Sequence, residues 1–86
     1  MVKYSYAERV VNKVRKLMKY NAPYNEVISA QPHISLNLNY ELESISWSYG
    51  GLSLLVLNNS IQIQEGYGPL RVIVSYDSFD GLLAMK

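Results

Sequence analysis

The chain has 86 residues, of which 49% are hydrophobic and 17% charged, and its formal net charge is +1. This length predicts a single domain, residues 1–86, with one modest core. The absence of cysteine excludes disulfides and thiolate metal sites, and no apolar segment approaches the about 18 residues that cross a membrane. Because no signal peptide is recognisable, we predict a cytoplasmic protein.

An amphipathic helix is predicted to begin at Ser5. Ser5 and Glu8 have the spacing of a capping box, in which the two side chains satisfy free N–H groups of the first turn. Behind them, apolar residues recur every three or four positions and form one stripe: Ala7, Val10, Val11, Val14, Leu17 and Met18. Asn21 and Pro23 end the helix. We expect the stripe to pack on one face of a sheet.

The opposite side of this helix is basic. Residues 1–19 contain six Lys or Arg and one Glu, a net charge of +5, whereas the remainder has two cations and six carboxylates, a net charge of −4. Lysine and arginine rows on a helix can contact nucleic-acid phosphates. The candidate nucleic-acid contacts are Arg9, Lys13, Arg15, Lys16 and Lys19. The alternative is a solvated helix face.

Residues 22–32 form a connector with a proline near each end. Pro23 suits the first turn of a short helix that buries Val27 and Ile28, and an ordered loop is the alternative. We favour short helical turns within residues 23–30.

Two short turns set the register of the predicted β-meander that follows. Residues flanking a two-residue turn lie opposite each other and share a face of the sheet. The Gly-Gly pair at 50–51 places Trp47 opposite Leu54, and the Asn-Asn pair at 58–59 places Leu54 opposite Ile63. Two independent turns therefore predict one apolar face.

Upstream, residues 34–42 alternate between apolar and polar and predict another strand. The alternation slips by one position at Glu43 and Ser44. A tight turn there would place Leu42 opposite Ile45, and we favour that hairpin. The alternative is one continuous strand with a bulge.

Downstream, residues 66–69 (Gly-Tyr-Gly-Pro) break the chain before alternation resumes. The side chains predicted to share a face there are Leu70, Val72, Val74 and Tyr76. Asp77 is the predicted N-cap of helical turns within 78–85, with Asp80 at the third helical position. The predicted fold class is therefore α+β, with the N-terminal amphipathic helix packed on one face of a four- to five-stranded antiparallel β-meander.

No residue pattern predicts catalysis, a metal or a cofactor. His33 is the only histidine and has no nearby acidic partner along the chain. Glu41 and Glu43 share a face only if one strand runs through both, and no evident pocket would separate their pKa values. The Asp-rich segment at 77–81 is too close to the C-terminus for a calcium loop. We predict a protein that is not an enzyme and has no small-molecule substrate.

The register places three aliphatic side chains on the polar side of the sheet: Leu55, Leu57 and Ile73. Small polar residues are predicted beside them: Asn37, Asn39, Ser46 and Ser48. An apolar patch with a polar rim is typical of a protein interface. The alternative is that the C-terminal segment, or a sheet closing into a barrel, covers the patch. An edge strand at 34–42 would also permit β-augmentation by a partner.

These features favour a small protein-interaction module that binds another protein or a second copy of itself as a homodimer. Its small size would suit an accessory or inhibitor protein of the phage, viral or plasmid type that binds a host protein. The alternative function is nucleic-acid binding through the basic side of the helix.

Overall fold

The computed structural model describes the backbone of residues 2–86 and the side chains from Ser5 onward. The elements, in chain order, are α1 (Val2–Met18), α2 (Tyr24–Val27), β1 (His33–Leu36), β2 (Leu42–Tyr49), β3 (Leu52–Val56), β4 (Ser60–Glu65), β5 (Arg71–Ser75) and α3 (Phe79–Leu83). The five strands form one antiparallel sheet in the order β1-β2-β3-β4-β5. The predicted α+β meander is confirmed.

The core lies between the sheet and the helices. The apolar stripe of α1 is buried as predicted, except that Leu17 is half-buried. It meets the apolar sheet face, where Trp47 is 1% exposed and Leu54 is fully buried. α3 packs against α1 and adds Phe79 and Leu82 to the same core. One face of the sheet is thereby covered, as expected for a two-layer domain.

The short helices α2 and α3 form within the predicted ranges, but the predicted N-caps of α1 and α3 are wrong. α1 begins at Val2, so Ser5 and Glu8 lie within the helix, where an exposed serine costs little helix stability. The N-cap of α3 is Ser78, whose extended backbone lets its hydroxyl accept a hydrogen bond from the Gly81 N–H at 3.3 Å. Serine caps as well as aspartate does, and it occupies the position directly before the helix.

The two predicted central turns are confirmed, together with their register. Trp47 pairs with Leu54, and Leu54 pairs with Ile63. Gly50 and Gly51 have φ values of 60° and 79°, a region that favours glycine. The turn chemistry and the apolar pattern agree here, which is why the register could be derived.

The first hairpin differs from the prediction, because its turn lies at residues 37–41 and not at 43–44. The side-chain oxygen of Asn37 accepts hydrogen bonds from the backbone N–H groups of Asn39 at 2.8 Å and Glu41 at 3.0 Å. This local motif bends the chain directly after Leu36. Tyr40 takes a φ of 60° within the turn.

β2 therefore continues through residues 43–44, as in the alternative interpretation. Ser35 pairs with Ser44 but Leu36 pairs with Leu42, so Glu43 is the extra residue of a bulge. The bulge explains the slip in alternation that the sequence shows at this point.

A second bulge corrects the predicted faces of β5. Ile61 pairs with Val74, whereas Gln62 pairs with Val72, so Ile73 is the extra residue. Val72 and Val74 consequently do not share a face. Ile73 is half-buried and packs against the core.

Candidate functional site

The side of the sheet opposite the helices, here called the outer face, has an uncharged centre. Across four strands, Ser46 pairs with Leu55, Leu55 with Gln62, and Gln62 with Val72. The next row contains Ser48, Ser53 and Gln64. The side chain of Val72 is 56% exposed, and Leu55 is half-buried. The row therefore presents aliphatic surface flanked by small polar groups.

In the described part of the chain, this face is covered neither by the C-terminal segment nor by closure of the sheet into a barrel. α3 packs against α1, and its Phe79 and Leu82 belong to the core on the helical side. β1 and β5 are not paired with each other, so the sheet does not close into a barrel. The outer face has no second layer in the described part of the chain.

The structure separates the seven residues predicted to form the interface. Those on the outer face or directly at its end are Leu55, Ser46, Ser48 and Leu57, the last of which follows β3 and is half-buried. Asn37 and Asn39 lie in the β1–β2 turn. Placing Ile73 on this face was wrong, because the β5 bulge directs it to the core and puts Val72 on the outer face.

The two sheet edges are short or irregular. β1 has four residues, so the predicted edge strand at 34–42 is replaced by a short strand and a turn. β5 has five residues and contains the bulge at Ile73. Short edge strands and bulges both hinder the addition of another strand. β-Augmentation is accordingly less favoured than docking on a face.

Two of the five predicted nucleic-acid contacts bind the chain itself. Lys13 Nζ donates to the carbonyl oxygen of Met85. Arg15 Nε donates to the carbonyl oxygen of Ile28 at 3.0 Å, and Arg15 also contacts that of Ala30 at 3.5 Å. These side chains fasten α1 to the C-terminal segment and to the residues after α2.

The other three basic residues, Arg9, Lys16 and Lys19, are exposed. The Arg9 guanidinium lies 5.9 Å from the centre of the Tyr6 ring, and Lys19 Nζ lies 5.2 Å from that of Tyr20. Of the five predicted phosphate contacts, three are therefore exposed and not engaged with the backbone of the chain in the described residues.

A groove that the sequence did not indicate lies between α2 and the tip of the β2–β3 hairpin. We call it the α2 groove, and its lining residues are Pro23, Glu26, Val27, Tyr49, Gly50, Gly51, Leu52 and Glu65. A second hollow, lined by Glu26, Ser29, Ala30 and Tyr49, adjoins it. The Gly66 N–H donates to the Gly51 carbonyl oxygen at 2.7 Å, and this bond places the β4–β5 turn beside the tip of the β2–β3 hairpin.

Two tyrosines have raised pKa values for structural reasons. Burial, followed by a 2.7 Å hydrogen bond to Asp80, raises the pKa of Tyr6 to about 12. Burial raises the pKa of Tyr76 well above its ordinary value. Both hydroxyls stay protonated at neutral pH. The Tyr6 hydroxyl connects α1 to α3, and the Tyr76 hydroxyl connects the chain after β5 to the β3–β4 turn. In the described residues, no group of three His, Cys, Asp or Glu side chains is placed to hold a metal ion.

Comparisons with protein families, with curated proteins and with solved structures find no match to this chain. Within residues 2–86, no helix combines the length and the apolar character needed to span a membrane.

Proposed function

We propose that this chain is a small non-enzymatic protein-interaction module that binds a protein through its outer face. The observation that supports this most is the row from Ser46 to Val72, which is uncharged, partly aliphatic and without a second layer in the described residues. The centres of protein interfaces are depleted of charge in the same way. Aliphatic side chains there would lose water on binding and so favour association.

The favoured partner is a second copy of the chain. In a two-fold symmetric interface the same patch meets itself, so a patch with net charge would repel its copy. The paired positions from Ser46 through Leu55 to Val72 hold no charged side chain and so avoid this repulsion, and His33 of β1, which pairs with Ser46, lies at the edge of the row. Sheets packed face to face interdigitate side chains of this size at a separation of about 10 Å.

The alternative, nucleic-acid binding through α1, has less support. Lys13 and Arg15 donate to backbone carbonyls of the same chain and are half-buried. Releasing them to reach phosphates would break contacts that connect α1 to the C-terminal segment and to the residues after α2. Three of the five predicted contacts remain exposed, and no cation lies in the central rows of the outer face.

Sedimentation velocity from about 1 to about 100 μM protein tests the homodimer. We expect the wild type to associate with rising concentration and Val72→Asp with Leu55→Asp to stay monomeric, because two carboxylates would be buried without partners. Asn12→Asp, on the exposed side of α1, is the matched control. Ile73→Asp is unsuitable because it would disturb the core. Association of the double variant at wild-type strength would contradict the proposal.

If the wild type is monomeric, a photo-crosslinking amino acid at position 72, compared with one at position 12, tests for a different protein partner in the producing cells. A specific adduct at position 72 alone would support the proposed interaction module. Its partner would then be a different protein and not a second copy of the chain. Absence of adducts at position 72 from a monomeric protein would refute the proposed function.

A further inference from the structure

The α2 groove is separate from the outer face. Tyr49 and Leu52 pair across the β2–β3 hairpin on the same face as Trp47, which is the face that the helices cover. α2 contacts both of these strands. A ligand in this groove would therefore leave the outer face free.

The groove combines an apolar base with an exposed aromatic ring. Val27 is 1% exposed and Leu52 is 8% exposed, so both side chains form the base of the groove. Tyr49 is 56% exposed and borders both adjoining hollows. A Cβ built on Gly50 or Gly51 meets no atom within 4 Å, so the hairpin tip leaves the groove open to an incoming group.

Two carboxylate side chains, those of Glu26 and Glu65, line the groove. Glu26 is exposed and has no ion pair in the described residues, and no lysine or arginine lines the groove. Glu65 forms an ion pair with Arg71 at 3.4 Å, but the two side chains are 70% and 61% exposed. Exposed pairs of this kind contribute little stability, so Glu65 can exchange or share its partner at small cost.

We propose that the α2 groove binds an arginine side chain presented by a partner protein. The aliphatic stem of arginine would pack on Pro23 and Leu52, as long cationic side chains do on apolar surface. The planar guanidinium would stack on the Tyr49 ring and donate to the carboxylates of Glu26 and Glu65. Arginine is favoured over lysine because stacking and forked donation both need a planar group.

A titration of the ¹⁵N-labelled protein with N-acetyl-arginine N-methylamide tests this, with amide chemical shifts as the readout. The citrulline analogue, which has a neutral group of the same shape, is the reference ligand. We expect saturable millimolar binding of the arginine compound, with shifts in the amides of Val27, Gly51 and Leu52, and no saturation with citrulline.

The glutamate contribution is tested by Glu26→Gln, which should weaken binding about two- to fivefold, the effect of one exposed ion pair. Glu43→Gln is the matched control, because Glu43 is also exposed but lies near the other end of β2. Equal shifts with arginine and citrulline, shifts outside the groove, or wild-type affinity in Glu26→Gln would each overturn the proposal.

Discussion

The hydroxyl of Tyr76 connects the chain after β5 to the β3–β4 turn, and its removal is a direct test of this packing. It lies 2.5 Å from the Leu57 carbonyl oxygen and 2.8 Å from that of Ser60. In Tyr76→Phe the Ser60 carbonyl still accepts from the Leu57 N–H at 2.8 Å. The main loss is therefore the bond to Leu57, and we expect the free energy of unfolding to fall by about 1–2 kcal/mol.

The same hydroxyl predicts a pH dependence. Burial raises the pKa of Tyr76 in the folded protein above its ordinary value of 10. The unfolded chain ionises first as pH rises, so this stabilising contribution is complete below about pH 10 and is lost progressively above it. Phenylalanine does not ionise. The stability difference between wild type and Tyr76→Phe should therefore narrow above about pH 10.

Urea unfolding, followed by the fluorescence of the single tryptophan Trp47, measures both effects. Tyr67→Phe is the control, because Tyr67 is fully exposed and its hydroxyl makes no hydrogen bond to any described residue. A Tyr76→Phe protein as stable as wild type at neutral pH would refute the reasoning. A stability difference that widens above about pH 10 would refute the pH argument.

Two further predictions concern the first hairpin and the basic helix. Asn37→Ala should lower the free energy of unfolding by about 1 kcal/mol, because two backbone N–H groups lose their acceptor, and Asn12→Ala should leave it unchanged. Chemical denaturation checks both, and equal losses would contradict the role of the Asn37 side chain. In fluorescence anisotropy at about 50 mM salt, short DNA and RNA should not bind at micromolar concentration. Salt-sensitive binding that Lys16→Glu with Lys19→Glu abolishes would restore the nucleic-acid alternative.

The central register could be predicted because two kinds of sequence information coincide there. Gly50 and Gly51 adopt the positive φ values that their residue type favours. The alternation around Trp47 and Leu54 independently points to the same face. A one-residue error would have placed these large side chains in water.

The predicted first hairpin is wrong because the alternation of apolar and polar residues continues through a segment that local hydrogen bonds bend into a turn. Leu38 continues the apolar pattern of residues 34–42, yet it is 99% exposed at the turn. Asn37 supplied the missing signal, since asparagine readily accepts hydrogen bonds from the next backbone N–H groups. The pattern of apolar residues alone cannot distinguish this turn from a strand.

The candidate surfaces depend on features that the alternation of apolar and polar residues in the sequence does not indicate. A bulge adds one residue, so every prediction of face beyond it is reversed, as at Val72 and Ile73. The α2 groove takes its lining from α2, both strands of a hairpin and the end of β4. Glu26 and Glu65 are far apart in sequence, and only the fold brings them to one groove.

The bulges also favour face-to-face binding over strand addition. The bulge at Ile73 interrupts the edge strand β5 and, by the same shift, places Val72 on the outer face. The bulge at Glu43 accompanies the shortening of the opposite edge to the four residues of β1. Each irregularity makes an edge a poorer template for another strand. The aliphatic surface available to a partner is consequently at the middle of the sheet, where Leu55 and Val72 flank Gln62.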